Sequence, residues 1–168
     1  MSSFVLRLQP WWPLAALFAA LAALAAAHAL QRFGGLAPCP LCLKQRDVYW
    51  GVVAIAAIGL GVVRFWPGVT LRRAVAALLG LGFLTGAIVA SYHVAVEQHW
   101  VTPQCDAVDL GAIRSFSVDG TFTTPNCDQI AWQFLGVSLA GYNLLASLAL
   151  AALSFIVAFA PAPPAEEA

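Results

Sequence analysis

The stretch AVAALLGLGFLTGAIVASYHVAV, residues 74–96, runs without a single Asp, Glu, Lys or Arg. A helix crossing the hydrocarbon of a bilayer needs about 20 apolar residues, within a working range of roughly 17–25. Three further charge-free windows accompany it, at residues 8–31, 48–63 and 129–165. Within these windows the pattern predicts spans at about 13–31, 47–65, 74–96 and 134–159. The second is short, but Tyr49, Trp50 and Trp66 suit interfacial anchors at its ends, and Arg46 and Arg64 are placed to snorkel. Composition agrees: the AVILMFWYC set makes up 61% of the 168 residues and charged residues only 10%. Soluble domains carry about 25% charged residues, and a globule this small buries too little surface to hide so many apolar side chains. A soluble enzyme and a disordered tail protein are therefore excluded. Eight basic residues balance eight acidic ones with no basic run, which argues against nucleic acid as a partner.

The expected fold class is an all-α membrane protein, a bundle of four transmembrane helices. It forms one domain over residues 1–160, in contact with the lipid bilayer. Residues 161–168, rich in Pro, Ala and Glu, read as a disordered tail. Residues 13–30 run longer than the roughly 7–15 residues of a signal-peptide core, so the first span is expected to be retained despite a cleavage-like Ala27-His28-Ala29. An even number of spans puts both termini on one side. Counting Lys and Arg gives a tie, four against four, although Arg64, Arg72 and Arg73 crowd one short connection and favour termini inside. The cysteines break the tie. Cys39, Cys42, Cys105 and Cys127 all fall in the two connections at about 32–46 and 97–133, on one side, as expected of loops facing an oxidising compartment.

Cys39-Pro40-Leu41-Cys42 is a C-x-x-C, a spacing whose short ring makes a readily exchanged disulfide. It lies just before the second span, where helix N–H groups favour a thiolate. If that helix begins near Cys42, Arg46 lies one turn along on the same face. The pair therefore reads as redox-active rather than structural. For Cys105 and Cys127 a structural bridge and a redox pair are equally compatible with the sequence. A c-type haem needs a His where Leu43 stands, and a zinc ribbon needs a second close cysteine pair, which 21 intervening residues rule out for Cys105 and Cys127. No metal-ligand set is therefore expected. No nucleotide fingerprint is present either, so the nearest two-electron carrier for a membrane dithiol is a quinone dissolved in the bilayer. Arg46 offers it a fork of donors. His93 offers another near the end of the third span, where it shares a small-residue face with Gly82, Gly86 and Ala90, all within about 80°. That face is expected to pack inward. For His93 itself, a structural hydrogen bond to another helix is as apt as ligand contact. His28 and His99 read as interfacial and solvated.

Three motifs, in order along the chain, resemble the disulfide bond formation protein B (DsbB) family of bacterial inner membranes. They are Pro38-Cys39-Pro40-Leu41-Cys42 with Arg46 four residues on, Tyr92-His93-Val94-Ala95-Val96-Glu97, and Cys127 followed by Trp132-Gln133-Phe134-Leu135-Gly136. Gln45 departs from the pattern, since many members carry an acidic residue there. The resemblance implies a quinone-dependent thiol oxidase with both termini cytoplasmic and both cysteine loops in the periplasm. It implies that Cys39, Cys42, Cys105 and Cys127 are catalytic and that Arg46 and His93 bind ubiquinone or menaquinone. The partner it implies is a DsbA-like periplasmic thiol oxidase, whose reduced form would attack a Cys105–Cys127 disulfide at Cys105. Electrons would then reach the Cys39–Cys42 pair, with Cys42 meeting the quinone. The vitamin K epoxide reductase family is the alternative, but its C-x-x-C follows its loop cysteines, whereas here it precedes them. Non-enzymatic alternatives are a membrane subunit braced by structural disulfides and a docking partner for one secreted protein.

Overall fold

The computed structural model describes residues 8–102 and 126–160. Among the described residues, four helices are long and apolar enough to cross a membrane: α1 (Trp12–Phe33), α2 (Pro40–Phe65), α3 (Val69–Glu97) and α4 (Leu139–Phe159). The protein is thus a multi-pass membrane protein. α3 packs along most of α4 and also against α2, and α1 lies mainly on α2. The core between them is built from small side chains: Ala16, Ala20, Ala56, Ala76 and Ala151 are buried, with Leu79 and Phe83 as the large fillers. Lipid is as apolar as leucine, so helices in a bilayer associate through close packing of small residues rather than through exclusion of water. Gly86, Ala90 and His93 do face inward, as their spacing predicts. A Cβ on Gly86 would lie 3.2 Å from Ser147 Oγ, so the missing side chain lets α4 bring a hydroxyl close. Large apolar side chains such as Phe18, Ile58, Leu78, Ile88 and Ile156 stay exposed around the bundle, as a lipid-facing belt requires.

The helix ends depart from the expected spans in three places, each for a local reason. α2 starts at Pro40, seven residues before the predicted span, so Cys42 sits in a helix and not ahead of one. Proline is suited to a first helical position because its missing N–H needs no partner there, and it forces the preceding Cys39 into extended backbone. α3 starts at Val69, directly after Trp66-Pro67-Gly68, and so includes Arg72 and Arg73. Arg73 Nη2 donates to the Ala160 carbonyl at the far end of α4, at 2.5 Å. α4 starts at Leu139 and not at 134, because residues 133–138 form a hairpin: β1 (Gln133–Phe134) pairs antiparallel with β2 (Val137–Ser138). Its two-residue turn holds Leu135 at φ 49° and Gly136 at φ 78°, the double positive φ of a type I′ turn. Residues 161–168, Cys105 and most of the second long connection lie outside the described residues.

Candidate functional site

The C-terminal ends of α1 and α3 and the N-terminal ends of α2 and α4 meet at one end of the bundle, and the chemistry gathers there. Cys39 is the N-cap of α2, with φ −77° and ψ 167°, and its Sγ accepts a hydrogen bond from the Cys42 N–H at 3.2 Å. That cap places the two sulfurs 2.7 Å apart. Cys39 is buried and Cys42 half-buried, and both are free thiols. The hydrogen bond Cys39 gives to Cys42, helped by burial, pushes the Cys39 thiol far above its ordinary range. The N-cap bond from the Cys42 N–H opposes this and is outweighed. Cys42 itself sits in the first turn of α2, where a helix's N-terminal field favours an anion.

His93 reaches the same sulfurs from α3. Its Nε2 lies 3.6 Å from Cys39 Sγ, and its ring also hydrogen-bonds the Cys127 backbone. Its other nitrogen, Nδ1, is 2.8 Å from Gln45 Nε2, and Asn143 Nδ2 on α4 donates to Gln45 Oε1 at 2.6 Å. Because Asn143 occupies the Gln45 oxygen, the Gln45 amide donates to Nδ1, which leaves the proton of a neutral ring on Nε2, aimed at Cys39. Beyond Asn143 the chain continues through Ser147 to the Tyr49 hydroxyl, 3.0 Å from Ser147 Oγ. Glu97, one turn after His93, has Oε1 3.9 Å from Nε2, and its Oε2 accepts from Ser138, the N-cap of α4. A buried polar group in hydrocarbon is costly unless bonded, and this network gives His93, Gln45, Asn143, Ser147, Tyr49, Glu97 and Ser138 each a partner. Gln45, Glu97, Ser138 and Asn143 were not singled out as site residues from sequence. Ser138 and Asn143 are polar residues in an apolar window, and the family motifs touched Gln45 and Glu97 without giving either a role.

Arg46 follows Cys42 by one turn, as predicted, but it is braced: Nη1 donates to Gln31 Oε1 at 2.5 Å and Nη2 to the Ala27 carbonyl at 3.1 Å, both on α1. Cys127 is buried and disulfide-bonded. It packs in one cluster with Cys39, Leu41 and Val96, so the chain at Cys127 lies against the C-x-x-C. Cys105 lies outside the described residues. Beside the sulfurs opens a cavity of about 270 Å³, bounded by Ala23, Ala27 and Leu30 of α1, Tyr49 of α2 and Ala146 of α4. Its polar groups are few and include Cys39, Cys42, Gln45, Arg46, His93 and Asn143. A mostly apolar cleft with a few convergent polar groups is the usual form of a small-molecule site.

The family model described as "Disulfide bond formation protein DsbB" matches residues 9–157. The chain is 35% identical to disulfide bond formation protein B 2 of Pseudomonas entomophila, covering 87% of this chain and 89% of that protein. It is 34% identical to disulfide bond formation protein B of Methylococcus capsulatus, over 80% of this chain and 85% of that one. The corresponding protein of Xylella fastidiosa is 33% identical over 81% and 82%. No solved structure matches the chain.

Proposed function

The chain belongs to the disulfide bond formation protein DsbB family, and from that premise we propose that it oxidises a soluble thioredoxin-fold dithiol oxidase and delivers the electrons to a membrane quinone. The observation that carries this reading is the convergence of Cys39, Cys42, His93 and Arg46 at one end of an apolar cavity within the bundle. A quinone, when bound, supplies the acceptor for two electrons and two protons. The residues fit such a head group: an apolar slot between α1, α2 and α4, with Arg46, Gln45 and Asn143 among its donors beside the sulfurs. Arg46, Gln45 and Asn143 would hold it by its oxygens, with Cys42 facing it.

The thiol steps we propose are those the family reading implies, and the packing of Cys127 on Cys39 supports them. A reduced partner attacks Cys105 of a Cys105–Cys127 disulfide, and Cys127 leaves as a thiolate. The second partner thiol then resolves the mixed disulfide, leaving Cys105 and Cys127 reduced. Cys127, packed against Cys39, attacks the Cys39 sulfur of the oxidised Cys39–Cys42 pair. Cys42 departs as a thiolate, stabilised by the first turn of α2 and by Arg46 one turn on. Cys105 then displaces Cys39 from Cys127, restoring the loop disulfide and leaving Cys39 and Cys42 with both electrons. His93 donates from Nε2 to Cys39 and holds the Cys127 backbone, keeping the exchanging sulfurs in line. We place this end of the bundle in the periplasm, the compartment in which such loop cysteines persist oxidised.

The test mixes purified protein with a reduced thioredoxin-fold oxidase and a soluble quinone analogue. One quinone should be lost for every two partner thiols oxidised. Cys105→Ser should stop partner oxidation while leaving the Cys39–Cys42 dithiol oxidisable by quinone. Equal loss of both half-reactions in Cys105→Ser would overturn the relay. Sidedness is read separately. In a background with the native cysteines replaced by serine, Gln98→Cys should react with an impermeant thiol reagent on intact cells, and Gly68→Cys should not.

A further inference from the structure

We propose that the reduced Cys39–Cys42 pair and His93 together form a binding site for a thiophilic divalent cation, Zn²⁺ or Cd²⁺. Sequence spacing gave no metal-ligand set because His93 lies 54 residues from Cys39, and only the packing of α3 on α2 brings them together. In the fold, one ligand atom from each of Cys39, Cys42 and His93 lies within 4.8 Å of the others. The Cys39 Sγ to His93 Nε2 distance is 3.6 Å. Zn–S bonds of about 2.3 Å and Zn–N bonds of about 2.0–2.1 Å in a tetrahedron place such a pair about 3.6 Å apart. The two sulfurs stand 2.7 Å apart and must separate to about 3.8 Å. Cys42 is the half-buried member and borders the cavity, so rotation of its side chain provides that movement.

The surroundings are those of a ligating histidine. Such a ring usually has its second nitrogen fixed by a polar neighbour, and Gln45 does this for Nδ1. A cation on Nε2 requires the ring proton on Nδ1. Gln45 and Asn143 are carboxamides, which present either an oxygen or an NH₂ group, so both can turn over and accept that proton's hydrogen bond. Two thiolates and an imidazole are a soft donor set, which selects zinc-class ions over Mg²⁺ or Ca²⁺. Binding releases the thiol protons to solvent and moves no electrons. The oxidised pair has no thiolates to offer, so the site exists only in the reduced protein. A bound cation there blocks formation of the Cys39–Cys42 bond.

The experiment uses the full chain in detergent with Cys105→Ser and Cys127→Ser, reduced and freed of reductant, and titrated with Cd²⁺. The ultraviolet thiolate-to-cadmium absorption should saturate at one ion per chain and be absent after oxidation of the Cys39–Cys42 pair. His93→Gln should raise the Kd at least tenfold, at or beyond the roughly 10–100-fold cost of losing an outer-shell partner. X-ray absorption of the Zn²⁺-loaded, reduced protein with His93 intact should show two sulfurs and one imidazole, which decides the matter even if His93→Gln fails to fold. An unchanged Kd in folded His93→Gln, a spectrum without imidazole, or one ion shared by two chains would each overturn the site. Neither quinone nor partner protein enters these measurements, so their failure leaves the electron-transfer reading standing, and the reverse also holds.

Discussion

The two ends of this bundle solve the same problem differently. At the end where the chain enters α1, Gln9 Nε2 donates to the Val157 carbonyl at 3.0 Å, Trp12 Nε1 donates to Ser154 Oγ at 3.1 Å, and Arg73 reaches the Ala160 carbonyl. Each is a single clasp between two segments, and the α2–α3 connection is only three residues long. At the opposite end the polar side chains form a connected series, Tyr49–Ser147–Asn143–Gln45–His93–Cys39, that crosses three helices and ends on sulfur. Backbone strain follows the same division. Among the described residues, the positive φ values belong to Gly35, His99, Leu135 and Gly136, all at the sulfur end. Sparsely populated backbone persists where its surroundings over-determine it, and it gathers at functional sites. One end therefore holds helices together, and the other holds reactive atoms in place.

The largest expected effect comes from the sulfurs themselves. Cys42→Ser should reduce quinone-dependent turnover to background, while the thermal midpoint stays within a few degrees of wild type, since Cys42 is only half-buried. A midpoint collapse would show that the pair serves the fold, and the contrast between the ends would break. Arg46→Lys comes next. The charge one turn from Cys42 survives, but the planar fork that reaches both Gln31 and the Ala27 carbonyl does not. Losing a hydrogen bond involving a charged group costs about 1.5–3 kcal/mol, so the quinone KM should rise roughly 10- to 150-fold. The thiol half-reaction, assayed alone, should be retained. A quinone KM within about twofold of wild type would reduce Arg46 to a clasp between α1 and α2, of the kind found at the other end.

A matched pair of substitutions sharpens the comparison further. Gln45→Leu strips partners from both His93 and Asn143, and Ser154→Ala strips the partner from Trp12. Hydrogen bonds between membrane helices are worth about 0.6 kcal/mol on average and up to roughly 1.7. Gln45→Leu should then cost about 1–3 kcal/mol and slow disulfide exchange roughly tenfold. Ser154→Ala should cost about 0.6–1.7 kcal/mol with turnover unchanged. Equal effects on exchange from the two variants would show that the polar series acts only through overall stability.

How much of this the sequence carries differs between the two ends as well. The spans were readable because 10% charge leaves long uninterrupted windows, and the C-x-x-C was readable because its chemistry is local. The early start of α2 was hidden by Lys44 and Arg46, which read as loop residues. At an interface those charges simply project from a continuing helix. Gln45 and Asn143 meet across 98 residues of chain, and no periodicity announces such a pairing. His93 was expected inside, and its dual use was not decidable, because it depends on how α3 is rotated against α2. Most of the second loop, including Cys105, lies outside the described residues, so its expected role stays with the proposal.

The hairpin was the element least visible in advance, and it yields the smallest predicted effect. Phe134-Leu135-Gly136-Val137 reads as a continuation of an apolar span, because Gly136 is its only turn residue. Leu135 nevertheless takes φ 49° with 83% of its surface exposed, at the tip between Phe134 and Val137. An L-residue with a Cβ is disfavoured there by roughly 1–2 kcal/mol, and asparagine tolerates the same conformation better. Tyr142 Oη donates to the Phe134 carbonyl at 3.0 Å, and the Leu139 N–H donates to the Trp132 carbonyl at 3.3 Å, so the turn is held by bonds that do not involve the Leu135 side chain. Leu135→Asn should therefore stabilise the protein by about 0.5–1 kcal/mol, read as a rise of roughly 1–4 °C in thermal midpoint. Leu135→Gly should gain less, because glycine also frees the unfolded chain. Turnover should change by less than about twofold, since no contact joins Leu135 to either sulfur. If both variants lower the midpoint, the exposed leucine is anchored in lipid and offsets its own backbone strain. The sulfur end would then lean on the bilayer for its shape, which the opposite end, clasped from within, does not.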